Sequence, residues 1–177
     1  YTESGDRRKI PDQHRLETGR NLSVLGAPGW GTAVEEGKFG TGRFDDALVE
    51  ASAELIQADW IPEPTPEWLA FVPSASTEGI VQDFAERLGA ALQLEVVDCV
   101  QRVRDTTLQE QLNGSFEKCA NVRNAYAIDG SVEPGPVLLV DDIVASRWTL
   151  TEVGLQLSKS GVETVHRFAL ARRRGYY

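Results

Sequence analysis

Asp141 and Asp142 are adjacent carboxylates that follow four apolar residues, Val137-Leu138-Leu139-Val140. The apolar run is too short for a helix, is entered through Gly135-Pro136, and reads as a buried strand that ends where the acids begin. Ala145 and Ser146 then make a small-residue turn that leads through Arg147 and Trp148 to Thr149, after which Leu150, Val153 and Leu157 recur at helical spacing. Strand, acidic pair, short loop and helix form a ligand-binding corner at the carboxyl end of a strand in an open α/β sheet. The first N–H groups of such a helix favour an anion. Carboxylates repel that anion, so their chemistry suits hydroxyl groups or a magnesium ion. Phosphate, hydroxyls and magnesium in one place describe a sugar phosphate.

Other elements must hold this corner in place. Trp68-Leu69-Ala70-Phe71-Val72 reads as a second buried strand, ending at Pro73-Ser74-Ala75-Ser76-Thr77. A helix is expected to start there, with Ile80, Val81, Phe84, Leu88 and Leu92 on one face. Ser74, Ser76 and Thr77 then serve either as its caps or as anion ligands. Leu94 to Val100 reads as the next strand and Val165 to Leu170 as the last. Short apolar strands alternating with helices predict an α/β fold, a mainly parallel central sheet with helices on both faces. Residues 1–13 are polar and read as a linker, 14–66 as an N-terminal extension, 67–171 as the core and 172–177 as a tail. Within the extension, six glycines and a proline between Gly26 and Gly42 read as loop. Phe44, Ala47, Leu48, Ala51, Leu55 and Ile56 predict a helix from Asp45 to about residue 58, stopped by Trp60-Ile61-Pro62-Glu63-Pro64-Thr65-Pro66.

The corner at Asp141 resembles the binding loop of type I phosphoribosyltransferases, in which an apolar strand runs into two acids, a Thr-Gly-x-Thr turn and a helix. The resemblance implies the phosphoribosyltransferase fold and the substrate phosphoribosyl pyrophosphate (PRPP). It makes Asp141 and Asp142 the catalytic contacts to the ribose hydroxyls, and Ala145, Ser146, Arg147, Trp148 and Thr149 the loop around the 5′-phosphate. Ser74, Ala75, Ser76 and Thr77 correspond to the pyrophosphate loop, with Mg2+ carried on PRPP and possible contacts from Asp141 and Asp142. This chain departs from the family at Ser146-Arg147, where the family has Thr-Gly. Glycine reaches φ > 0 and admits a phosphate close to the backbone, so Arg147 either blocks the pocket or offers its own guanidinium to the phosphate. Trp148 either stacks on a base or packs behind the loop.

Two narrower resemblances follow. Thr106-x-x-Gln109-x-x-Leu112, then Asn121-Val122-Arg123-Asn124-Ala125-Tyr126, is similar to the ComF branch of these transferases. That implies a flap over the site built from Arg104, Thr106, Gln109, Asn121 and Arg123. Gly19-Arg20-Asn21-Leu22, Gly29-Trp30-Gly31, Asp141-Asp142 and Arg147-Trp148-Thr149, in that order, resemble the ComF-like C-terminal domain of actinobacterial RecQ-type DNA helicases. A chain that starts at Tyr1 and contains no methionine fits a fragment of such a protein. In the transferases an N-terminal extension often forms a hood over the ribose site. Arg20 and Trp30 either belong to such a hood or make, respectively, a surface ion pair and a packing contact at the core edge.

Two functions follow from the resemblance. One is an accessory module beside the helicase motor, binding a nucleotide or 5′-phosphate or contacting protein through a degenerate PRPP loop. The other is an active magnesium-dependent transferase that moves ribose 5-phosphate from PRPP to a nitrogen acceptor. The implied partners are PRPP or another sugar 5′-phosphate or nucleotide, and the upstream helicase domains. DNA is reached only through the parent protein, in a bacterial cytoplasm and at the nucleoid.

Composition narrows the classes. With 177 residues, 41% hydrophobic and 25% charged, the chain suits one folded domain. It has no Gly-x-x-x-x-Gly-Lys-Ser/Thr loop, so the helicase motor is not in it. A net charge of −9 disfavours tight backbone binding to DNA, and the basic runs Arg7-Arg8-Lys9 and Arg172-Arg173-Arg174 sit at the ends. No apolar run has the length of a membrane span and no signal-peptide pattern opens the chain. Cys99 and Cys119 lack metal-ligand spacing and read as reduced structural thiols; His14 and His166 offer no catalytic histidine.

Overall fold

The computed structural model describes residues 16, 18–74, 76–106, 114–130 and 132–175. Five strands, β1 (Arg20–Val24), β2 (Trp68–Phe71), β3 (Glu95–Val96), β6 (Val137–Val144) and β7 (Val165–Arg172), form one sheet in the order β1-β7-β6-β2-β3. Every pairing in it is parallel. A second, antiparallel pair joins β4 (Val100–Arg102) to β5 (Tyr126–Ile128). The helices are α1 (Trp30–Glu36), α2 (Asp46–Glu54), α3 (Ile80–Leu92), α4 (Gly114–Val122) and α5 (Trp148–Lys159). The chain therefore has the expected α/β architecture.

Both faces of the sheet are covered, which is why its central strands are continuously apolar. Successive side chains of a strand point to opposite faces. Leu69, Phe71, Leu138, Val140, Phe168 and Leu170 meet Leu48 of α2 and Phe84 and Leu88 of α3 on one face. Trp68, Ala70, Val137, Leu139 and Val165 meet Leu150, Val153 and Leu157 of α5 on the other, together with Val100 and Tyr126 of the small sheet. Phe44 and Phe84 pack edge to face with centroids 5.8 Å apart inside the first cluster.

The sheet order creates a crevice. The unit β2-α3-β3 winds toward one edge and β6-α5-β7 toward the other. Crossovers of one hand must then lie on opposite faces, and the point of reversal falls between β2 and β6. Loops leaving these two neighbours diverge there, at the carboxyl ends of both strands.

Several elements differ from the sequence expectation. The glycine-rich stretch read as loop contains α1 and a π-helical turn over Gly37–Thr41. Its glycines serve close packing: a Cβ on Gly31 would lie 2.1 Å from the Val24 carbonyl oxygen, and Gly29 holds φ 85°, ψ −127°. Residues 20–24, inside the segment read as an extension, form β1 and pair with β7 at the sheet edge. Asp45 caps α2 as expected, accepting from the Ala47 N–H at 2.8 Å, but the α-helix ends at Glu54 and continues as a π-helical turn, Leu55–Trp60. The strand expected over Leu94 to Val100 splits into β3 and β4, which belong to different sheets. The linker 1–13, His14, Ala75 and Gln109 lie outside the described residues.

Candidate functional site

β6 does not stop at the acids. It runs through them to Val144, so Asp141 and Asp142 stand inside the strand and are only 8% and 7% exposed. Pairing explains why the strand nevertheless offers them to a site. On one side β6 stays paired with β7 out to Val144 opposite Arg172, whereas pairing with β2 ends at Phe71 opposite Val140. β2 turns away at Pro73-Ser74, and the acids border the gap it leaves.

Strand alternation sends the two carboxylates to opposite faces, Asp141 with Leu139 and Asp142 with Val140. Asp141 Oδ1 accepts from the Asp142 N–H at 2.9 Å, and Asp142 Oδ1 accepts from the Ile143 N–H at 2.6 Å. Asp142 Oδ2 receives the ammonium of Lys38 at 2.5 Å. The same ammonium donates to Ser74 Oγ at 2.6 Å, so it ties β6 to the loop after β2 across the crevice. Burial, and next the charge of Asp142, hold the Asp141 carboxyl well above the usual carboxylate range. Burial and the nearby Asp141 charge push the Tyr126 phenol up to about 12. Tyr126, at the head of β5, thus brings the small sheet to the acidic pair.

Ser74 was expected either to cap a helix beginning nearby or to bind an anion, and the helix cap is not formed. Instead α3 begins at Ile80 behind Gly79, whose φ of 74° and missing side chain leave no side-chain cap. Ser74 Oγ accepts from the N–H groups of Thr77 at 3.2 Å and Ser76 at 3.4 Å, so it caps the intervening turn. That turn brings Ser76 and Thr77 around the Ser74 hydroxyl, beside Lys38.

On the far side of the acids, Ala145, Ser146, Trp148 and Thr149 are half-buried and Arg147 is exposed. Arg147 has φ −70°, ψ −1°, an ordinary right-handed conformation, so no glycine is needed where it stands. Among the described residues it pairs with neither carboxylate. Helix α5 starts here with no side-chain cap.

Of the expected flap residues, Arg104, Asn121 and Arg123 are brought together. Arg104 donates to the carbonyl oxygens of Asn121 at 2.8 Å and Arg123 at 2.9 Å, closing the β4-α4-β5 unit upon itself. Thr106 is half-buried near the end of that unit's first described stretch. Glu152 of α5, buried, accepts from the Asn124 N–H at 2.9 Å and fixes the unit to the helix behind the loop.

The residue that sequence reasoning missed is Lys38. It lies in Gly37-Lys38-Phe39-Gly40, where a lysine among glycines carries no mark of burial. Only the packing of α1 against β1 and α2 carries it to the acids.

The pair does not fit a directly bound magnesium ion. Its carboxylates diverge, both Asp142 oxygens have donors, and the cation position on Oδ2 is taken by Lys38. Among the described residues no group of three or more His, Cys, Asp and Glu is arranged to hold a metal. Neither Cys99 nor Cys119 forms a disulfide among the described residues, and His166 binds the Pro64 carbonyl at 2.7 Å in the interior. No described helix is long and apolar enough to cross a membrane.

No protein-family model matches the chain. Two curated relatives do, each called DNA utilization protein YhgH, from Salmonella typhi and Salmonella typhimurium. Each is 30% identical over 93 residues, 52% of this chain and 39% of the relative, so the match spans about two fifths of those proteins. Among solved structures, adenine phosphoribosyltransferase from Leishmania tarentolae matches with a TM-score of 0.48 and 13% identity, over 73% of this chain and 70% of that one.

Proposed function

We propose that this is a phosphoribosyltransferase-like module whose crevice between β2 and β6 binds a sugar 5′-phosphate or nucleotide. The observation that carries the reading is the placement of a buried acidic pair at the point where the sheet order reverses, next to a helix start without a side-chain cap. Hydroxyl groups of a ribose suit Asp141 and Asp142, which accept hydrogen bonds. The N–H groups at the start of α5, with Ser146 and Thr149, suit the 5′-phosphate. Ser74, Ser76 and Thr77 sit where a pyrophosphate would extend from the same sugar. On this reading magnesium travels with the pyrophosphate of the ligand and is not held by the acids.

The biological setting we propose is accessory. The ordered segments around Gly19-Arg20, Gly29-Trp30-Gly31 and Arg147-Trp148-Thr149 support a place beside the motor of a RecQ-type helicase, with DNA reached through that motor. The name of the Salmonella relatives, DNA utilization protein, agrees with a role in DNA metabolism. One observation favours a catalytic version of the same site, transfer of ribose 5-phosphate from PRPP to a nitrogen acceptor. Arg147 is exposed and leaves the acids unobstructed.

Calorimetric titration of the chain with ribose 5-phosphate, AMP and the magnesium complex of PRPP tests the proposal. Binding of ribose 5-phosphate is expected, with tighter binding of PRPP, and loss of both in Asp141→Asn/Asp142→Asn. No heat from any of the three ligands overturns the reading. Turnover of PRPP with a purine or pyrimidine acceptor would promote the catalytic version.

A further inference from the structure

We infer that Lys38 is the built-in cation of this site: its ammonium takes the position on Asp142 that a divalent metal would need, and so keeps metal off the acidic pair. The inference rests on reading the β2–β6 crevice as the ligand site, and it adds what kind of site that is.

The geometry is specific. A metal bound to a carboxylate oxygen sits roughly 2.0 to 2.6 Å from it. Lys38 Nζ is already 2.5 Å from Asp142 Oδ2, with the second ligand of the site, Ser74 Oγ, at 2.6 Å. Both partners are sequestered, the Lys38 side chain at 6% exposure and that of Asp142 at 10%. A second cation there would face the ammonium across one oxygen atom, out of bulk water, where like charges repel most strongly. The remaining oxygen of Asp142 is bound by the Ile143 N–H at 2.6 Å. Lys38 also performs the structural work of a metal, holding the loop after β2 and the end of β6 together. An ammonium has three donors, and two of them go to Asp142 and Ser74. The third is left for an oxygen of the ligand.

Manganese, read by its free-ion electron paramagnetic resonance signal, tests this without any sugar phosphate, so its outcome is independent of the calorimetric test above. The wild-type chain is expected to leave the Mn2+ signal unchanged up to about millimolar protein. Lys38→Ala is expected to bind one Mn2+ at least tenfold more tightly, and Lys38→Ala/Asp142→Asn to lose it again. Lys38→Gln, which keeps a polar side chain without the charge, is the second variant should the alanine form fold poorly. Sub-millimolar Mn2+ binding by the wild type that disappears in Asp142→Asn overturns the inference. So does failure of both folded Lys38 variants to take up Mn2+, since the lysine would then not be what excludes it.

Discussion

Asp141 and Asp142 are neighbours in sequence with opposite electrostatic situations, and each has its own consequence for stability. Asp142 is neutralised by Lys38, so the pair is a buried ion pair with hydrogen bonds to both partners. Removing one member of such a pair leaves a buried charge uncompensated and costs about 3–5 kcal/mol. Asp142→Ala is therefore expected to lower the urea unfolding free energy by that amount. Asp141 lies inside the strand with its charge opposed by burial and by Asp142. Its folded pKa lies above the unfolded one, so between those values the native state holds a proton that the unfolded state has lost. Stability from this group is thus fully present below the unfolded carboxylate pKa and falls as pH rises through the folded value. Asp141→Asn keeps an acceptor for the Asp142 N–H and removes that loss. The variant is expected to be more stable than wild type at pH 7.5, with the gain vanishing as the pH falls to the ordinary carboxylate pKa near 4. Urea midpoints across that range check both the sign and the window.

At the scale of elements, what could be read in advance follows from how each segment is buried. β2, β6 and β7 lie in the middle of a sheet covered on both faces, so their sequences are unbroken apolar runs that announce themselves. The acids after Val140 and the helix of Leu150, Val153 and Leu157 were legible for the same reason. β1 was not, because Arg20–Val24 is an edge strand whose mixed residues are largely half-buried. Nor was α1, since Gly29 and Gly31 suggest a loop by composition while the fold uses them for a sharp entry and a close approach. Lys38 was hidden along with α1, which shows why half of the candidate site was invisible: its charge partner lies 104 residues away. This dependence can be tested at Gly31. A Cβ there would meet the Val24 carbonyl oxygen at 2.1 Å, a backbone atom that cannot swing aside. Gly31→Ala is expected to destabilise by about 2–3 kcal/mol through overpacking, against the roughly 1 kcal/mol that alanine brings to a helix. By moving α1 off β1 it should also weaken ribose 5-phosphate binding. Gly40, with nothing within 4 Å of an added Cβ, is the control, and Gly40→Ala is expected to stay within about 0.5 kcal/mol of wild type.

Across the whole molecule the balance of charge argues against tight binding to the DNA backbone. The chain carries 27 acidic and 18 basic residues, and many of the basic ones are already engaged. Lys38 is spent on Asp142, Arg43 and Arg87 on Asp46 and Asp83, Arg102 on Asp105, and Arg104 on two backbone carbonyls. Cations used in this way are less available to displace counterions from a duplex. The Arg172-Arg173-Arg174 cluster is also constrained, because Arg172 is the last residue of β7 and is paired in register with Val24 and Val144. Non-specific DNA binding draws nearly all of its strength from phosphate contacts, and its dependence on salt counts them. Fluorescence anisotropy of a short labelled duplex is therefore expected to give a Kd weaker than about 10⁻⁴ M at physiological salt, the weak end of ordinary non-specific binding. Lowering the salt should change it little. Micromolar binding with a steep salt slope would place several free cations on one face of this domain and make DNA a direct partner.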